Sequence, residues 1–132
     1  MTDREEAVLA ANQAFYDAFI SNDYAAMEAL WATEHDIAVI HPGWSPLSGH
    51  KAVLDSWQRI LSGEGTNRMH CSEARAWLGD SMAFVICNET FPEGELVATN
   101  IFALEENDWK MIHHHSGPAS SPGARSGADL VH

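Results

Sequence analysis

The hydrophobic repeat changes once along this chain of 132 residues, and that change limits the folds that it can adopt. In the first half the apolar residues recur at helical spacing, interrupted by a β-branched run at 37–40 that predicts a short strand. From Arg68 they alternate with a period of two, which predicts four strands, near 68–77, 82–91, 96–104 and 109–116. Helices followed by a meander of strands indicate an α+β domain.

Three helices are predicted before the meander. Thr2 and Glu5 form a capping box, which predicts that a helix begins there and runs over residues 3–20. Asp23 is placed to cap a short second helix, and Ser48 to cap a third. All three have an apolar stripe that needs a partner surface, so we expect them to pack on the strands.

The chain changes character after Ser116. The residues that follow are small, polar and interrupted by proline, and they cannot bury enough apolar area to offset chain entropy. The sequence therefore predicts one domain over residues 1–116 and a flexible tail over 117–132.

Charge and cysteine content exclude several classes of protein. Seven Lys and Arg stand against nineteen Asp and Glu, and the basic residues are scattered, so a nucleic-acid partner is not expected. No apolar run approaches the roughly 20 residues that cross a bilayer, and the amino end lacks the pattern of a secretion signal, so we expect no membrane partner and a cytoplasmic location. Cys71 and Cys87 form no CxxC pair, which is typical of ordinary thiols in a reducing compartment.

The strand register predicts two different sheet faces. If each connection has four residues, the strand ends pair as Trp77 with Met82, Phe91 with Leu96, and Leu104 with Trp109. One face then carries many exposed apolar residues, among them Phe84, Ile86, Val97, Ile101 and Ile112. A monomer rarely tolerates such a surface, so we expect a homodimer built through this outer sheet face.

The opposite face is expected to line a cavity. Small residues lie there beside Phe102 and Trp109, which leaves a hollow. Five polar side chains collect toward one end of it: His70, Glu89, Asn100, His113 and His115. Polar groups that converge in an apolar hollow are typical of a ligand site, and we expect these five to act together.

Several local motifs resemble one known superfamily. They are the helix-one sequence Ala-Phe-Tyr-Asp-Ala-Phe-Ile-Ser-Asn-Asp, the turn Ile40-His41-Pro42-Gly43, Gly49 at the start of the third helix, and the last-strand sequence Trp-Lys-Met-Ile-His-His-His-Ser. The chain resembles the nuclear transport factor 2-like superfamily, particularly its SnoaL-like branch. The resemblance implies three N-terminal helices packed on a curved, mainly antiparallel sheet, and a deep pocket in a protein that is typically dimeric.

The resemblance also places functional positions. In the steroid isomerases of this superfamily a tyrosine, a proton-shuttling aspartate and an oxyanion-hole acid carry the chemistry. These positions fall on Phe15, His41 and Asn100, so the resemblance implies that the chain is not a standard ketosteroid isomerase. Tyr16 lies next to the first position, and Trp57 falls where the family places an aromatic pocket wall.

Three residues are candidates for acid–base chemistry: His41, Glu89 and His115. Imidazole titrates near neutral pH, and an apolar pocket would hold His41 neutral and ready to accept a proton, although a strand-end histidine can also serve only to satisfy loop carbonyls. A buried carboxylate without a partner costs several kcal/mol, so Glu89 should pair with His70 or remain a neutral acid. Substrate contacts are expected from seven residues: Tyr16, Trp57, His70, Asn100, Phe102, Trp109 and His113.

The run His113-His114-His115 also raises the question of a metal. Residues 113 and 115 share one face of a strand, and histidine is a common ligand of divalent metals. A third ligand would come from one of three residues: His41, His70 or Glu89. Because the resemblance implies no metal, we expect packed or hydrogen-bonded histidines, with neither a metal nor another cofactor.

Two functions follow from these observations. In the first, the chain binds a small hydrophobic molecule that carries a carbonyl or hydroxyl group, and acts on it by acid–base chemistry of the isomerase, dehydratase or cyclase type. In the second, it is a noncatalytic dimeric module for association or ligand sensing. The superfamily contains both kinds of protein, so the fold does not choose between them.

Overall fold

Three helices and one six-stranded sheet make up the computed structural model, which describes residues 2–119. The elements in chain order are α1 (Asp3–Ile20), α2 (Tyr24–Leu30), β1 (Ala38–Ile40), β2 (Leu47–Ser48), α3 (His50–Ile60), β3 (His70–Leu78), β4 (Met82–Phe91), β5 (Gly94–Glu105) and β6 (Asp108–Pro118). The strand order is β2-β1-β6-β5-β4-β3, and every neighbouring pair is antiparallel except β1 with β6. The predicted α+β fold, with helices on a curved and mainly antiparallel sheet, is confirmed.

Two of the three predicted helix caps are present. The Thr2 hydroxyl accepts a hydrogen bond from the Glu5 backbone, and the Glu5 carboxylate accepts one from Thr2 in return. Asp23 caps α2. The predicted cap at Ser48 is wrong because Ser48 pairs with Ala38 in the sheet, and Gly49 takes the cap position with a φ of 92°.

The core lies between the helices and one face of the sheet. This inner face presents buried side chains from three strands, including Val85, Cys87, Ala98, Phe102 and Met111. Helix α1 packs against β3, β4 and β6, while α3 lies against β1 and β2. The helices contribute large buried residues to the same cluster: Val8, Phe15, Met27, Val53 and Trp57. The opposite, outer face has no helix on it in the described part of the chain.

The predicted strand register is correct at one connection and wrong at two. Leu104 pairs with Trp109 as predicted, but Trp77 pairs with Phe84 and Phe91 pairs with Gly94. Both errors amount to a shift of two residues. Because side chains alternate with a period of two, these shifts leave the predicted face of each residue unchanged.

Two β-bulges do change the faces. In β3, Glu73 and Ala74 lie opposite Cys87 alone, and Glu73 adopts a left-handed φ of 54°. In β6, Ile112 is an extra residue, since Phe102 pairs with Met111 and Ile101 pairs with His113. One inserted residue reverses the side-chain alternation beyond it. The first residues of β3 and the last residues of β6 therefore face opposite to the prediction.

The loop between α2 and β1 is held by a buried carboxylate. Glu105 accepts hydrogen bonds from the backbone N–H groups of Thr33 and Glu34, at 3.0 Å each, and contacts His35 Nδ1 at 2.7 Å. Burial alone would raise the pKa of Glu105, but the hydrogen bonds from His35, Thr33 and Glu34 outweigh it and lower the pKa to about 2. This contact fixes the loop that leads into β1 and hence to His41.

Strand β6 continues to Pro118, two residues past the predicted domain end, and the Ala119 N–H donates to the Glu95 carbonyl at 3.0 Å. The rest of the predicted tail, residues 120–132, lies outside the described residues. Among the described helices, none has the length and apolar character needed to cross a membrane.

Candidate functional site

A cavity of about 250 Å³ lies between the helices and one end of the inner face. Its wall consists of apolar and aromatic residues together with four polar ones: Phe15, Tyr16, Phe19, His41, Pro42, Trp44, Trp57, Ile60, Met69, Glu89, Phe91 and His114. All four polar side chains, Tyr16, His41, Glu89 and His114, are almost fully buried as residues. An apolar hollow with a few convergent polar groups is the usual form of a small-molecule site.

Glu89 is the one carboxylate in the cavity wall, and it is 4% exposed. Its Oε2 accepts a hydrogen bond from the Tyr16 hydroxyl at 2.6 Å, and its Oε1 accepts one from the Ser116 hydroxyl at 2.6 Å. The predicted partner, His70, is exposed instead. Two neutral hydroxyl donors therefore stabilise this carboxylate, in place of the expected histidine.

Asn100 connects the polar groups behind the cavity and is completely buried. Its amide Nδ2 donates to Asn12 Oδ1 at 2.8 Å and to the Tyr16 hydroxyl at 3.2 Å. Its Oδ1 lies 2.6 Å from His114 Nδ1. Since the amide nitrogen already faces two acceptors, its oxygen must accept from His114, and the direction of the network is settled.

His114 is held as a neutral imidazole. Burial, and to a smaller extent the neighbouring His41, His113 and His115, lower its pKa to about 3. Its Nδ1 carries the proton that Asn100 accepts, so its Nε2 is an unprotonated acceptor. The ring packs 4.8 Å from the Phe15 ring, centroid to centroid, which fixes its orientation in the wall.

His41 is also neutral, and its tautomer follows from Ser56. The Ser56 hydroxyl donates to the Val53 carbonyl at 2.6 Å, so it can only accept from His41 Nε2, which lies 2.9 Å away. The proton is therefore on Nε2 and the lone pair on Nδ1. Burial lowers the pKa of His41 to about 4, and the ring is held edge-on to Trp57 with centroids 4.7 Å apart.

Tyr16 remains a neutral hydrogen-bond donor. Burial raises its pKa far above the ordinary value, and the neighbouring Glu89 and Cys87 raise it further. Its oxygen accepts from Asn100 and its proton goes to Glu89, while Cys87 Sγ lies 3.2 Å away. The hydroxyl therefore relays the Asn100 network to the carboxylate.

Four of the ten predicted site residues line the cavity: Tyr16, His41, Trp57 and Glu89. Asn100 lies directly behind the wall, where it contacts Tyr16 and His114. Phe102 is in the core, and Trp109 packs under Arg4, whose guanidinium carbon is 5.5 Å from its ring centroid. Neither aromatic residue lines the cavity.

The predicted placement of three histidines in the cavity is wrong. His70 and His115 are exposed, and His113 is half-buried with its Nδ1 3.0 Å from the Ala38 carbonyl. The bulge in β3 turns His70 to the outer face, and the extra residue Ile112 in β6 does the same to His113 and His115. The five polar residues predicted to act together therefore lie on both sides of the sheet.

Sequence reasoning missed His114 and Ser116, the two residues that the β6 bulge turns inward. It also missed Ser56 and Asn12, which orient His41 and Asn100. One signal was available, since three consecutive histidines on a strand must place at least one on each face. Among residues 2–119, no group of three or more His, Cys, Asp or Glu is arranged to hold a metal ion.

Comparison with known proteins gives one family. The family model described as SnoaL-like domain matches residues 8–121. F-box protein SKIP8 of Arabidopsis thaliana is 27% identical over 112 residues, which are 83% of this chain and 48% of that protein. The chain thus spans about half the length of this curated relative.

Solved structures agree with this match. A candidate dehydratase of the NTF2-like family from Streptomyces avermitilis has a TM-score of 0.82 at 28% identity, covering 89% of this chain and 97% of that one. A candidate calcium/calmodulin-dependent protein kinase type II association domain from Thiobacillus denitrificans has a TM-score of 0.75 at 30% identity, with 85% and 94% covered. A cystatin-like fold protein from Burkholderia xenovorans, at 20% identity and a TM-score of 0.73 over 89% and 92% of the two chains, shares the fold.

Proposed function

Because the chain belongs to the SnoaL-like domain family of the nuclear transport factor 2-like superfamily, we propose that it binds a small hydrophobic molecule in this cavity and transforms it by acid–base chemistry. One observation carries the proposal. A neutral histidine with an open lone pair, His41, and a buried carboxylate, Glu89, line the same largely aromatic cavity. Proton transfer at an organic substrate needs groups of this kind, held in position and shielded from water.

In this proposal His41 Nδ1 accepts a proton from a substrate hydroxyl or from a carbon next to a carbonyl. The imidazolium that forms is a strong acid, because burial lowers the pKa of His41 to about 4. It therefore returns the proton readily to carbon or to a leaving hydroxyl, as an isomerase or a dehydratase requires. The likeness to a candidate dehydratase at 28% identity supports a reaction of this class.

Glu89 and the second cavity histidine complete the proposed site. Glu89 has acceptor positions beyond the two that Tyr16 and Ser116 use, so it can orient a substrate hydroxyl. His115, predicted as a catalytic residue, is exposed, and the neutral His114 faces the cavity in its place. The apolar walls accommodate the hydrophobic body of the substrate.

Small cyclic hydroxyketones test this function. Wild-type protein should bind them, seen as a rise in melting temperature, and should accelerate hydrogen–deuterium exchange at the carbon next to the carbonyl, seen by NMR in D₂O. His41→Gln should slow this exchange by about 10²-fold to 10⁴-fold, the usual contribution of a general base. His70→Gln removes an exposed histidine and serves as the control, with exchange at the wild-type rate.

Two results would contradict the proposal. Hydroxyketones that neither raise the melting temperature nor exchange faster would remove the small-molecule function. Exchange that is equally fast in His41→Gln and in wild type would show that another group takes the proton.

A second function is supported by the outer face of the sheet. Four large apolar side chains are exposed there: Trp77 by 40%, Met82 by 49%, Phe84 by 39% and Val97 by 39%. The Trp77 and Phe84 rings stack with centroids 4.9 Å apart and form part of a shallow apolar groove. We propose that this face joins two copies of the chain, either for ligand sensing or in an association role like that named for the Thiobacillus denitrificans protein.

Sedimentation tests the dimer. Wild-type protein should be a dimer at micromolar concentration, and Phe84→Glu should weaken it at least tenfold, because it places a charge in an apolar interface. Gln58→Glu adds the same charge at an exposed position of α3 and should leave the dimer intact. A wild-type monomer at that concentration, or a dimer indifferent to Phe84→Glu, would remove this interface.

A further inference from the structure

The geometry points to a cavity occupant that donates hydrogen bonds: we propose that the molecule bound beside Glu89 carries a protonated amine on a small apolar body. This inference rests on the proposed ligand-binding function and specifies the class of ligand. The polar atoms of the buried wall that are open to an occupant accept hydrogen bonds and do not donate them.

Both cavity histidines present acceptors. His41 Nε2 carries the proton that goes to Ser56, and His114 Nδ1 carries the proton that goes to Asn100. Among residues 2–119, the fully enclosed side-chain nitrogens and oxygens without a partner are Trp31 Nε1 and Trp57 Nε1. His41 Nδ1 and His114 Nε2 have no hydrogen-bond partner among the described residues, and both histidines line the cavity.

Glu89 is the strongest acceptor in the wall. A carboxylate has about four acceptor positions, and Tyr16 and Ser116 occupy one on each oxygen. The salt bridges among the described residues join His35 with Glu105 and Lys51 with Asp55, and neither reaches Glu89. Burying a carboxylate without a neighbouring cation costs free energy, and a cationic group on the ligand would offset that cost.

The buried wall offers no free donor to set against these acceptors. The Tyr16 and Ser116 hydroxyl protons are directed to Glu89, and the Asn100 amide protons to Asn12 and Tyr16. The Trp57 indole N–H has no partner, but it is enclosed and cannot reach an occupant. A carboxylate on the ligand would therefore face only acceptors in the buried wall, whereas an ammonium group would find three groups there that accept its protons.

Aromatic surface and charge favour the same ligand. Phe15, Tyr16 and Trp57 lie in the buried wall, and Trp44, which is 39% exposed, also lines the cavity. A cation in contact with aromatic rings gains energy that a neutral molecule of the same shape does not. The formal net charge of −12 attracts cations to the protein surface. A cavity of about 250 Å³ is at the small end for ligand sites, which limits the body to about one ring with a short substituent.

Three one-ring probes of similar size test this inference by calorimetry: benzylammonium, benzyl alcohol and benzoate. Wild-type protein should bind benzylammonium at least tenfold more tightly than benzyl alcohol, and benzoate more weakly than either. Glu89→Gln should reduce benzylammonium affinity at least tenfold and change benzyl alcohol affinity by less than threefold. Glu93→Gln removes the same charge from an exposed turn and should behave as wild type.

The outcomes separate this inference from the proposed function. Benzyl alcohol bound as tightly as benzylammonium, or benzylammonium affinity unchanged in Glu89→Gln, would overturn the amine inference and leave hydroxyketone exchange unaffected. Protein that exchanges hydroxyketones but binds no benzylammonium would do the same. If Glu89→Gln does not fold, the order of the three probes on wild-type protein still decides the question.

Discussion

Asn100→Ala is expected to lower the free energy of unfolding by roughly 3 kcal/mol or more, because each buried polar group left without a partner costs about 1–3 kcal/mol. The substitution removes the acceptor of His114 Nδ1 and the donor to Asn12 Oδ1, and both groups are buried where water does not replace the lost partner. A domain of this size has about 5–15 kcal/mol in total, so the change is a large part of its stability. Denaturant unfolding followed by circular dichroism measures it.

Asn88→Ala is the matched control. Asn88 is on β4, on the outer face, and donates to an exposed Glu73 carboxylate at 2.7 Å. Water can replace that hydrogen bond, so the expected loss is within about 1 kcal/mol. Equal losses in the two variants would show that the buried network around Asn100 does not stabilise the fold.

The stability of the domain should fall steeply as the pH is lowered from about 6.5 to about 4, since the folded state lowers the pKa of His41 from 6.5 to about 4 and that of His114 from 6.5 to about 3. In this range the unfolded chain takes up protons that the folded chain does not, so protons favour unfolding. Each pH unit costs about 1.4 kcal/mol for each such group, which amounts to roughly 3 kcal/mol for His41 alone. Above pH 6.5 both histidines are neutral in both states and the effect disappears.

Denaturant midpoints measured from pH 7 to pH 4 test this dependence of stability on pH. His41→Gln should make the dependence weaker, whereas His70→Gln, at an exposed position, should leave it unchanged. Glu105 affects the stability of the domain in a lower range of pH. Its pKa in the folded state is about 2 against 4.5 for the unfolded chain, so its share of the stability is lost only as the pH falls below about 4.5. A midpoint that stays constant between pH 7 and pH 4.5 would contradict the buried, neutral state of the two histidines.

Much of the site follows from local patterns. The capping box at Thr2 sets the start of α1, and Tyr16 lies among the buried residues of that helix. His41 is placed by the end of a short β-branched strand, and Trp57 by the apolar stripe of a helix. The sequence places Glu89 correctly on the inner face of β4, because a register that is wrong by two residues still predicts the correct face for each side chain. These four positions depend on the type of each element, which the sequence determines with its hydrophobic period.

Only the tertiary structure decided which histidine of the run 113–115 enters the cavity and what stabilises Glu89. The β-bulges in β3 and β6 each insert one residue, and one residue reverses every side chain beyond it. No local pattern marks the insertion at Ile112, because an extra residue is accommodated by pairing with neighbouring strands from distant parts of the chain. The sequence by itself therefore determined the three helices, the first strand and the four-stranded meander, together with the positions of Tyr16, Trp57 and the buried carboxylate of Glu89. Strand pairing decided the order of hydrogen bonds that runs from His114 through Asn100 and Tyr16 to Glu89. These residues are far apart in sequence, and they come into contact only when the strands pair and α1 packs on the sheet.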